Sequence, residues 1–100
     1  MQRSVRPEAA QVPSAADAAV TALQTEIWRL VRARFEAQRE SRGLTQAALA
    51  AQLGVPRTQV CVWLREPGRM TVKAAARLLI AMGAELRCQV EERPVDGIKP

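Results

Sequence analysis

Arg57, Thr58, Gln59, Cys61, Val62 and Arg65 crowd into one short stretch that opens just after Pro56. Their chemistry is recognition, not turnover. An arginine guanidinium is a planar fork of donors that meets two acceptors at once, as on a phosphate or on the O6/N7 edge of guanine. Threonine and glutamine both donate and accept hydrogen bonds, and valine offers a small apolar contact. Gln46, Arg42, Arg69 and Lys73 flank the stretch with further donors suited to phosphate oxygens. Catalytic residues are scarce: the chain has no His and no Tyr, and its serines are Ser4, Ser14 and Ser41. The nucleophile and base pairings of hydrolytic enzymes therefore lack members, which points away from an enzyme. Cys61 and Cys88 form no C-x-x-C pair, and without His no metal set assembles around them. We expect two reduced thiols and neither metal nor cofactor.

The charge is placed where those donors are. Lys and Arg number 15 against 10 Asp and Glu. Residues 1–25 and 84–100 are close to neutral, so the middle, with ten Arg or Lys against four Glu, carries the net positive charge. A basic centre between neutral ends is the footprint of a nucleic-acid binder, although a solvated surface carries the same signature. No stretch is long and apolar enough for a membrane span, and no signal sequence opens the chain, so a cytoplasmic location is expected.

One hundred residues suffice for one domain. Residues 1–13, with Pro7 and Pro13 and no apolar period, are expected to be a tail, as are residues 93–100. Ser14 and Asp17 make a capping box ahead of Val20, Leu23, Ile27 and Leu30, whose spacing alternates between three and four. The spacing predicts one long helix, or two joined near Thr25, ending near Ser41 before Gly43. The seam is read as cover for the protein's own core, with a short coiled coil to a second copy as the alternative. Thr45 caps a second helix, Gln46 to Leu53; Gly54 and Val55 turn the chain, and Pro56 suits the first position of a third helix running to Arg65. Thr71 caps a fourth, with apolar spacing at Val72, Ala75, Ala76, Leu79, Ile80 and Met82, closed by Gly83. Leu86, Cys88 and Val90 then alternate with polar residues as in a half-buried strand. A single strand in an otherwise helical chain needs a mate, which a second subunit would supply across a two-fold axis; the alternative is an extended tail lying on the domain. The expected fold class is all-α, a bundle of four to five helices over residues 14–83, with a C-terminal strand at 84–92.

Within that bundle the second and third helices have the makings of a helix-turn-helix, with Ala50 small at the crossing and Gly54 in the turn. Val60 and Trp63 face inward, so Arg57, Thr58, Cys61 and Arg65 fall outside. Gly43-Leu44-Thr45-Gln46, Leu49-Ala50, Leu53-Gly54-Val55, Val60 and Trp63-Leu64 resemble the helix-turn-helix of the λ repressor and Cro type, the XRE family. The resemblance spans about residues 35–83 and implies that helix 56–65 enters the major groove of double-stranded DNA. On that basis Arg57, Thr58, Gln59, Cys61 and Val62 are the candidate base readers, with Arg57 placed for guanine and Val62 for a thymine methyl. Gln46 resembles the family's phosphate-contacting glutamine; Arg42, Arg65, Arg69 and Lys73 are the other phosphate candidates. The loop Glu66-Pro67-Gly68-Arg69 departs from the short Asn-Gly turn common in the family.

Two functions follow from the resemblance. The first is a dimeric transcriptional repressor on a palindromic operator, paired through Leu86, Cys88 and Val90. The second is an antitoxin that neutralises a toxin protein and represses its own operon, because the chain also resembles the HigA-type antitoxins in its length and its Met82-Gly83-Ala84-Glu85-Leu86 junction.

Overall fold

The computed structural model describes residues 14–92. Four helices follow one another: α1 (Ala15–Arg42), α2 (Gln46–Leu53), α3 (Arg57–Arg65) and α4 (Val72–Ala81), with a 3₁₀ turn at Pro67–Arg69 between the last two. Among the described residues there is no strand, and no helix is long and apolar enough to cross a membrane. The expected tails at 1–13 and 93–100 lie outside the described residues.

Local chemistry sets the helix ends. Ser14 Oγ accepts from the Asp17 amide at 3.0 Å while Asp17 Oδ2 accepts from the Ser14 amide, so two orphan donors of α1 are met reciprocally. Thr45 and Thr71 accept from the amides of Ala48 and Ala74. Gly54 closes α2 at φ 72°, with its amide donating to Ala51 and the Val55 amide to Ala50, the paired bonds of a Schellman motif. Pro56 is the N-cap of α3 and not its first residue; the helix opens at Arg57.

α1 is one helix of 28 residues with no break at Thr25. Its second half anchors the bundle through Val31 and Phe35, which pack with Leu44, Leu49, Val60, Leu64, Met70 and Leu78. Its first half does not cover the core as expected: Val20 and Leu23 are 64% and 62% exposed, and Leu30 is exposed too. Ile27 alone of that seam packs inward. On α4 the expected register is partly wrong. Val72 and Ile80 are 64% and 66% exposed, while Ala74 and Leu78 join Ala75, Leu79 and Met82 inside. Lys73 and Arg77, one turn apart, mark the outer face of this helix and Ile80 lies beside them, so the charges and not the apolar spacing set the register.

Among the described residues no strand forms at Leu86 to Val90. Leu86 packs against the bundle, whereas Cys88 is exposed and Val90 is 98% exposed. A lone segment has no ladder to join, because every other described element is helical.

Candidate nucleic-acid interface

α2 and α3 pack on each other across the Gly54 turn, and both rest on the rest of the bundle through their inner faces. Val60 and Leu64 are the buried anchors of α3, with Trp63 half-buried beside them. At about 100° of rotation per residue, Thr58 and Val62 lie farthest from this anchored edge, flanked by Arg65 and Gln59. Arg57 and Thr58 are exposed, and Gln59, Cys61 and Val62 are half-buried. Arg57 shares its side of the helix with Val60 and Leu64, yet it stands exposed because it occupies the free N-terminal end. No side chain caps that end, so backbone donors there remain open to an acceptor. Five candidate base readers are thus gathered on α3, led by Arg57 and Thr58 at its tip.

The other candidates ring this helix. Gln46 is the first residue of α2 and is half-buried. Arg42 ends α1 and donates to the Gln38 side chain. Arg65 points its guanidinium toward Cys61 Sγ at 4.0 Å and Glu66 Oε2 at 3.7 Å, and Arg69 reaches Glu66 Oε1 at 3.6 Å. Glu66 is therefore flanked by two arginines, and its charge is locally offset. Lys73 is exposed on the first turn of α4.

Several basic residues turn out to have structural work that their sequence positions do not disclose. Arg32 Nη1 donates to the Leu64 carbonyl at 2.8 Å, beside Trp28 Nε1 at 3.2 Å, and the guanidinium lies 5.7 Å from the Trp28 ring centroid. Arg34 donates twice to the Met82 carbonyl, at 2.9 and 2.6 Å, and Arg77 donates to the Leu53 carbonyl at 2.7 Å. Each of these side chains satisfies a carbonyl at the end of another helix. Arg29 and Arg39 pair with Glu26 and Glu36 along α1. Among the described residues, Arg42, Arg57 and Lys73 are the basic residues of the helical domain with neither an acidic partner nor a helix-end carbonyl, and all three are expected DNA contacts.

A shallow cleft of about 470 Å³ between α1 and the start of α2 is lined by Arg32, Glu36, Arg39, Thr45 and Gln46 among others. Its arginines already face Glu36, at 3.6 and 2.9 Å, so we assign no ligand to it. Of the expected dimer contacts, Leu86 packs against its own bundle, while Cys88 and Val90 face solvent. Comparison with known proteins returns no matching family model, no matching curated protein and no matching solved structure.

Proposed function

We propose that the chain is a sequence-specific double-stranded DNA-binding regulator that lays α3 in the major groove and works as a dimeric repressor. The observation that carries this reading is the division of α3: Val60 and Leu64 are buried while Arg57 and Thr58 lead an exposed, polar tip without an acidic partner among the described residues. Such a tip is the end of a recognition helix that meets base edges. The Arg57 guanidinium pairs with guanine O6 and N7, Thr58 and Gln59 reach neighbouring edges or phosphate, and Val62 meets a thymine methyl. Gln46 and Arg42, close to the start of α2, hold the backbone, and Lys73 adds charge without sequence information. The likeness to the XRE family rests on the order of small and apolar positions, and the burial of Leu49, Ala50, Val60 and Leu64 is consistent with it.

The test is a gel shift on the DNA upstream of the gene, comparing wild type with Arg57→Ala and Lys73→Ala. We expect Arg57→Ala to cost about 1–3 kcal/mol on the preferred sequence and little on random DNA. Lys73→Ala is expected to weaken all sequences alike and to lower the salt slope by about 1. Equal affinity of wild type and Arg57→Ala for the preferred sequence would remove α3 from the readout.

A further inference from the structure

We infer that the N-terminal arm of α1 is a self-association surface, and that its occupant is a second copy of this chain. Val20 and Leu23 of each copy meet the groove that Ile27, Met70 and Val72 complete on the other. The inference rests on the DNA-binding reading for its purpose, two recognition helices on one duplex, and on the arm itself for its geometry.

Three observations choose this occupant. The arm and the groove are contiguous: Val20 and Leu23 wall a groove of about 190 Å³ whose opposite side is Met70, Thr71 and Val72. Ridge and recess on one patch are what a two-fold interface needs, since the same surface must serve both partners. Next, the residues lining this groove carry no formal charge, and residues 15–25 hold only Asp17, in a chain of net charge +5. Nucleic acid or an acidic protein would be recognised by cations, and none lines this face. Two copies that repel through their basic middles can meet here without opposing charges. Finally, Ala16 and Ala19 lie beside the Val20 and Leu23 ridge at helical spacing and keep that face slender, so a second helix can approach it closely.

The C-terminal segment offers less. Leu86 is already used by its own bundle, and Val90 stands among Arg87, Glu91 and Glu92. The arm spans under two heptads, smaller than a permanent interface, so we expect a dimer that dissociates in the micromolar range and that DNA tightens through its two half-sites.

Sedimentation of the full chain from nanomolar to high micromolar concentration tests this, with Leu23→Glu, Val20→Gln and Val90→Glu alongside and helicity followed by circular dichroism. Leu23 and Val20 are exposed within the chain, so their replacement is expected to leave helicity unchanged. We expect a concentration-dependent dimer for wild type and Val90→Glu. Leu23→Glu should raise the dissociation constant on the order of a hundredfold or more, and Val20→Gln by a smaller factor. A wild type that stays monomeric overturns the inference, as does a dimer that survives Leu23→Glu or one that only Val90→Glu dissolves. Half-site and full-site DNA binding separates the two claims. If Leu23→Glu keeps half-site affinity and loses the full-site advantage, both stand. If the sedimentation results hold and no duplex is bound, the arm stands and the DNA reading falls.

Discussion

Trp28 and Arg32 both donate to the Leu64 carbonyl, and the pair shows how a side chain that looks like surface charge or core filler is set by what it meets across the bundle. We expect Trp28→Phe and Arg32→Ala each to cost about 1 kcal/mol in urea unfolding, because the other donor still satisfies the carbonyl. The double variant should exceed the sum of the two by about 1 kcal/mol, since a part-buried acceptor is then left without either partner. Strict additivity in that cycle would show that the two donors do not share this acceptor. Nothing in the sequence foretells these bonds: residues 28 and 32 are one turn apart on α1, but Leu64 becomes their neighbour only through tertiary packing. The same holds for Arg34 and Arg77. A count of basic residues therefore overstates the charge open to a polyanion, and Arg57, Arg42 and Lys73 are the ones that the packing leaves to it.

At the scale of elements, the caps were legible because they are local. Ser14, Thr45 and Thr71 each hold an amide within three residues, and Gly43 and Gly54 adopt the left-handed conformation that ends a helix. The inner face of α4 was misjudged from apolar spacing alone: Ile80 is as apolar as Leu78, but it lies one turn beyond Arg77, on the face that Lys73 and Arg77 mark as outer. The strand at Leu86 to Val90 was an alternation without a partner. Two glycines give a contrast that can be measured. A Cβ on Gly54 would meet nothing within 4 Å, so Gly54→Ala should cost only the left-handed backbone term, about 1 kcal/mol. At Gly83, φ is 75° and a Cβ would come within 3.3 Å of Arg34 Nη2, the atom that donates to Met82. Gly83→Ala should therefore lower the thermal midpoint more than Gly54→Ala does. The reverse order would mean that the Arg34 clasp yields freely.

For the whole molecule, the distribution of charge separates two tasks. The arm of α1 is nearly uncharged, whereas the tip of α3, the end of α1 and the start of α4 carry Arg57, Arg42 and Lys73, which have neither an acidic partner nor a helix-end carbonyl among the described residues. Binding to any duplex should weaken steeply with salt, by a slope near −0.9 for each phosphate neutralised. Selection of bound duplexes from a randomised pool by wild type and by Arg57→Ala tests most directly whether α3 reads bases. Wild type is expected to enrich an inverted repeat with a fixed guanine in each half, and Arg57→Ala to lose that guanine while keeping the rest of the motif. Enrichment of the same motif by both proteins, or of none by wild type, would mean that Arg57 on α3 does not read bases.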